Sequence, residues 1–259
     1  MTVFSLPIWA VFLLTAVLLF IAFEIGHLAG RRRRSLDKGH EQEELGSLVG
    51  AMLGLLGFIL AIAFGAQLSR FDASKSLLLD EATAIYELFL RTDMLPPDAR
   101  SSVRRQLQDY IAIRLDTDGD TEERIRQSMA LQQSIWKASI DAGDEMPDAF
   151  PKELYFESLN DLINVHQRRV TVGLHQRMPG IIWVVLYLLA FLAFAVTGYH
   201  GAVSSSRRSA VRPIAVLAFA LLVALIDDLD HIGTGLLQLN ESALKDVSMR
   251  MQSELVRLD

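Results

Sequence analysis

Asp227, Asp228 and Asp230, with His231 beside them, cluster directly after an apolar run. Carboxylates this close repel one another and need water, cations or arginine partners. Two readings follow: an apolar helix that ends at the headgroup boundary, or a cation-attracting vestibule, since acidic rings favour cations. The spacing of an oxygen-rich calcium loop is missing, so no metal site is predicted here. Glu24 and His27, at i and i+3, share a helix face. A di-iron carboxylate bundle uses that spacing but also needs further carboxylates and a second such motif, and an edge pair at a membrane boundary is predicted instead. His166, with Arg168 and Arg169, is predicted on a solvated helix face.

Gly46, Gly50, Gly54, Gly57, Ala61 and Gly65 are separated by 4, 4, 3, 4 and 4 residues, which keeps all six on one narrow helix face. A face without side chains lets another helix approach closely, and in lipid such backbone packing is a main source of association. One reading is helix packing, within the chain or between subunits. The other is a ring of such helices around an axis, with the small face or its neighbours Phe58, Ile62 and Gln67 lining a pore that gates by dewetting.

Four apolar runs must position these residues: Ile8 to Phe23, Leu45 to Ser69, Met178 to Val203 and Ala210 to Ile226. A helix rises about 1.5 Å per residue and the hydrocarbon core is about 30 Å thick, so the second and third span it with residues to spare. The first reaches that length with Glu24 and His27 at its end, and Asp227 closes the fourth. Positive charge follows the first run, at Arg31 to Arg34, whereas a cleaved signal peptide carries it in front; a retained anchor is predicted. Arg31 to Arg34 and Lys38 in one short loop, with Arg207, Arg208 and Arg212 in another, place those loops in the cytoplasm and residues 69–178 on the outer side.

Between the second and third runs the pattern is that of amphipathic helices broken at Pro96-Pro97, at Asp116 to Asp120 and at Gly143 to Pro151. Leu77, Leu78, Ala82, Ile85, Leu88 and Phe89 continue the second run as one rod. Pro97-Asp98 opens the next helix, and Thr121, Glu122 and Glu123 suit the start of another. A last one runs from about Pro151 into the third span, with a kink expected at Pro179, which marks the junction. The expected fold is therefore all-α: an integral membrane protein of four transmembrane helices with an inserted helical bundle between spans two and three. Its segments are a transmembrane hairpin over 1–68, the bundle over 69–178, a second hairpin over 179–232 and an amphipathic C-terminal helix over 233–259.

The chain has no cysteine, which excludes disulfides, thiolate metal sites and cysteine nucleophiles. A net charge of -6 gives no support for nucleic-acid binding. No Gly-rich phosphate loop follows a strand, and no nucleophile with a nearby base can be assembled, so neither an enzyme nor a cofactor is expected.

The stretch 44–64, then Arg70-Phe71-Asp72, Asp80-Glu81-Ala82, Leu90-Arg91-Thr92-Asp93-Met94-Leu95-Pro96 and Tyr110-Ile111-Ala112-Ile113-Arg114, resembles the bacterial bestrophin-like family, long described as a domain of unknown function. The layout is similar over nearly the whole chain, including Asp228-Leu229-Asp230. An Arg-Pro commonly follows those aspartates in the family; here His231-Ile232 departs from it. The resemblance implies a multi-pass protein of the bacterial inner membrane and, by analogy with bestrophins, a pentameric anion channel whose pore is lined by the second span. Its expected partners are the bilayer, further copies of the chain and inorganic ions. Bestrophins hold their helical domain in the cytosol, opposite to the side the arginine counts give. The competing function is a non-conducting sensor or scaffold whose bundle binds a ligand or a partner protein. A proton-driven motor-type channel would need an ionisable residue deep in a span, and spans two and three have none.

Overall fold

In the computed structural model of the chain, residues 7–33, 41–116, 120–146, 148–175, 178–204, 211–231 and 239–256 are described. They form helices α1 (Ile8–Arg33), α2 (Glu41–Arg91), α3 (Pro97–Leu115), α4 (Thr121–Gly143), α5 (Ala149–Val170), α6 (Gly180–Val203), α7 (Val211–Asp230) and α8 (Ser242–Val256), and no strand. Arg34, Lys38, Arg207 and Arg208, on which the orientation expectation leans, lie outside the described residues. The chain divides into two compact units, Met1–Phe71 with Arg177–Gln238, and Asp72–Gln176 with Leu239–Asp259.

In the first unit, α1, α2 and α6 are long and apolar enough to cross a membrane. The expected fourth span, α7, is helical but is not among them over its described residues, where Arg212 near its start and three aspartates in its last turn leave a shorter apolar run. Its aliphatic side chains nevertheless join the same core, in which Val223 packs with Leu19, Leu56, Leu186 and Phe194. The closest helix contact lies between α1 and α6, where glycines on both sides remove the spacers. A Cβ added to Gly26 would sit 1.8 Å from the Ala195 carbonyl oxygen, and one on Gly198 would sit 2.0 Å from that of Phe23. The backbones touch there, as small residues allow in lipid. This contact was not anticipated from the sequence, which directed attention to the glycines of α2.

In the second unit, Pro97 at the first turn of α3 and Asp120 ahead of α4 set the helix starts. The Asp120 carboxylate accepts the Glu122 N–H at 3.4 Å, and Glu122 and Glu123 fill the first turn. Lys152 donates to the Gly143 carbonyl at 2.8 Å, which satisfies one of the carbonyls left open at the end of α4. The core holds Ile85, Phe89, Leu107, Ile135, Leu159 and Leu162. At the corner between α2 and α3, buried Arg104 lies over the Phe89 ring, 4.7 Å from its centroid, and donates to Thr92 Oγ1 at 2.8 Å and to Asp93 Oδ1 at 3.0 Å.

Two connections differ from expectation. The C-terminal helix was read as a tail; instead α8 places Leu244 and Met251 in this core, and Tyr86 donates to Glu254 at 2.9 Å. Two such buried side chains contribute about 1.5–3 kcal/mol each as an upper estimate, enough to hold a short helix in place. The last helix before span three does not run into it. It ends at Val170, a π-helical turn covers Thr171–His175, and α6 starts afresh after Pro179, which supplies a starting geometry rather than a kink.

Candidate functional site

The membrane part of α2 has two unlike faces. Leu56, Leu60, Ala63, Gln67 and Arg70, spaced 4, 3, 4 and 3 apart, are buried against the first unit. At 3.6 residues per turn, Gly50, Gly54, Gly57, Ala61 and Gly65 fall on the far side of the helix. A Cβ at Gly50, Gly54, Gly57 or Gly65 would meet nothing within 4 Å among the described residues; at Gly46 it would meet only the His200 ring, at 3.6 Å. Phe58 and Ile62 border this open face and are 64% and 57% exposed. Among the described residues, the glycines from Gly50 to Gly65 therefore pack on nothing else in the chain. Gln67, expected with these residues, belongs to the opposite face, where its side-chain carbonyl accepts from Arg70 at 3.3 Å.

The acidic corner is resolved residue by residue. Asp230 is buried, and its Oδ1 accepts from Arg70 Nη1 at 2.7 Å and from the Met178 backbone N–H at 3.0 Å. The same guanidinium nitrogen donates to the Asp230 carbonyl at 3.2 Å. One carboxylate thus ties together α2, the segment leading into α6 and the end of α7. Asp228 is also buried. Asp227 is half-buried, and its carbonyl accepts from His231 Nδ1 at 2.9 Å, with the carboxylate 3.7 Å from the same nitrogen. Glu24 is half-buried, and His27 stacks on Phe23.

A second buried polar group fills the core of the other unit. Glu81 is 0% exposed, accepts a hydrogen bond from Tyr110 Oη at 2.7 Å, and forms ion pairs with Arg114, whose Nε lies 3.2 Å away, and with Arg169. Tyr110 spends its only proton on Glu81, so the 2.8 Å contact to His166 Nδ1 requires that nitrogen to carry hydrogen and donate to the tyrosine oxygen. Gln132 Nε2 reaches the same oxygen at 3.4 Å. Burial alone would raise the Glu81 pKa, but the His166 contact, the Arg114 and Arg169 charges and the Tyr110 hydroxyl outweigh it and hold the carboxyl far below its usual range. Burial and the Glu81 charge push Tyr110 up, and burial pushes Tyr155 up to about 12.

His166 was expected on a solvated face; it is 1% exposed and belongs to this network. Arg169, placed with it, pairs with Glu81, whereas Arg168 is exposed. Glu81 itself was not singled out as a site residue. The signal was present, since it shares the inward phase of Leu77, Leu78, Ile85 and Leu88 and interrupts an otherwise apolar face.

Together these features define an all-helical protein with membrane-crossing helices and a second helical unit built around a buried charge cluster. The model of the Bestrophin-like domain matches residues 16–244, and the chain belongs to that family. The fold is shared with solved structures. A bacterial bestrophin homolog from Klebsiella pneumoniae, solved as single-substitution variants, aligns at 14% and 15% identity over 95% of this chain and 98% of that one, each with a TM-score of 0.63. A membrane protein described by that term alone aligns at 17% identity over 96% of this chain and 97% of its own, with a TM-score of 0.57. No curated protein matches.

Proposed function

We propose that the chain is one subunit of a homo-oligomeric ion channel in which copies of α2 surround the path, with α7 as a fourth, short span. The carrying observation is the open face of α2. A helix that only had to face lipid gains nothing from four uncovered glycines, whereas helices that meet around an axis need them for close approach. Phe58 and Ile62, exposed at the edge of that face, form the apolar constriction of the path, and Gly50, Gly54, Gly57, Ala61 and Gly65 are the surface on which neighbouring copies meet. Family membership supports this reading, and by analogy with bestrophins we take five subunits and anion selectivity as its finer form.

Liposome flux of the purified protein tests it. The wild type passes ions, and Phe58→Ala or Ile62→Ala changes the rate or selectivity by several-fold with assembly intact. An assembled protein that carries no flux at any pH or calcium level, but whose helical unit is stabilised by a ligand, is a sensor or scaffold and not a channel. Tagging residue 120 and probing which side of the bilayer it occupies decides between the arginine counts and the bestrophin analogy for placing residues 69–178.

A further inference from the structure

The buried Arg70–Asp230 pair lies on the face of α2 opposite its glycines, and resting on the channel reading above, we propose that it is a positioning device that fixes the rotation of α2 about its own axis. Among the described residues, the other α2 side chains packed into that core, Leu56, Leu60 and Ala63 with Met52, Leu53, Ile59 and Phe64 beside them, are apolar, and apolar burial is non-directional: it resists separation of helices far more than rolling. The glycine face is smooth. A guanidinium is planar and directional, and one terminal nitrogen of it, Arg70 Nη1, donates to Asp230 Oδ1 at 2.7 Å and shares its second hydrogen between the Asp230 carbonyl at 3.2 Å and Gln67 Oε1 at 3.3 Å. Asp230 is itself fixed by the Met178 N–H at 3.0 Å, so the anchor reaches two further segments of the same unit. Both side chains are 7% exposed, so water and salt screen the pair little. Neighbouring positions on a helix differ by about 100° in phase, so a fraction of that rotation exchanges Phe58 and Ile62 for the glycine edge at the path. The acidic corner thus acts on ions through α2, by choosing which side chains meet them.

The chain has no cysteine, which allows a direct test. Single-cysteine variants Phe58→Cys, Ala61→Cys and Ile62→Cys, reconstituted in liposomes, are labelled with a membrane-impermeant methanethiosulfonate in three backgrounds: otherwise wild type, Arg70→Lys, which keeps the charge but loses the fork, and Asp230→Asn, which keeps an acceptor but loses the charge. The expected result is a change in the rank order of labelling rates in both altered backgrounds. Leu56→Ala, which loosens the same face without touching the pair, leaves the order as in wild type. An unchanged order in both altered backgrounds, an equal change with Leu56→Ala, or no labelling at any position overturns the proposal. Flux measured on the same vesicles separates the two readings: a shifted order without wild-type flux removes the channel and keeps the rotational anchor, and flux with an unshifted order does the reverse.

Discussion

Glu81 draws two guanidiniums, a phenol and an imidazole onto one carboxylate in a place water does not reach. The group is worth most when complete, because removing the acid leaves two arginines facing each other without compensation. Glu81→Gln is expected to cost about 3–5 kcal/mol in denaturant unfolding of the detergent-solubilised protein. Tyr110→Phe, which removes the hydrogen bond to the Glu81 carboxylate and the acceptor facing His166 and Gln132, is expected to cost at least about 1.5–3 kcal/mol. The same network sets a pH profile. Because the Glu81 carboxyl is held below its usual range, its contribution is full at neutral pH, starts to fall as pH drops through about 4.3, the ordinary glutamate value, and goes on falling toward the folded-state value. Tyr110 and Tyr155 act in the opposite sense. Their raised pKa values keep their contribution whole below about 10, and it is lost as pH rises beyond that. Melting followed by circular dichroism from pH 3 to 11 is expected to show a plateau bounded by these two losses.

Glycines in α1 and α6 and glycines in α2 have different work to do, and substitution separates them. Gly26→Ala drives a methyl into the Ala195 carbonyl, against backbone that cannot step aside, and is expected to destabilise the first unit by at least the upper part of the about 1–3 kcal/mol typical of overpacking. Gly54→Ala meets no atom of the described subunit and is expected to leave the monomer's melting temperature unchanged while Gly54→Leu lowers the oligomeric fraction, read by native mass spectrometry. The sequence displayed the α2 stripe openly because six small residues fall in one regular series. The α1–α6 contact passed unnoticed although Gly26 and Gly30 on α1, and Gly198 and Ala202 on α6, each stand at i and i+4: each is a single small pair rather than a long series, and the two lie far apart in the chain. The bounds of α3 and α4 were legible from Pro97 and from Thr121 to Glu123, whose chemistry is local. The π-helical turn at Thr171–His175 has no such local signature.

For the molecule as a whole, the apolar runs and the family motifs gave the helical class and the Bestrophin-like membership, while the placement of polar groups needed three dimensions. Asp230 and Arg70 lie 160 residues apart, and Glu81 and Arg169 88 apart, so neither partnership leaves a mark on the sequence between them. His166 was misplaced for the same reason: its burial follows from Tyr110 and Glu81, on other helices. Of the four expected spans, three are shown by length and apolarity; the fourth, α7, is helical, and Arg212 with the closing aspartates leaves it the shortest apolar run among the described residues.

Both compact units are discontinuous in the chain, each closed by a segment that follows the stretch 72–176. During synthesis α1 leaves the ribosome early, yet the backbone notch at Gly26 has nothing to receive until Ala195 and Gly198 have been translated. The first helix must therefore wait, its glycine surface bare, while α2 to α5 are made, and during that interval it is open to capture by another neighbour.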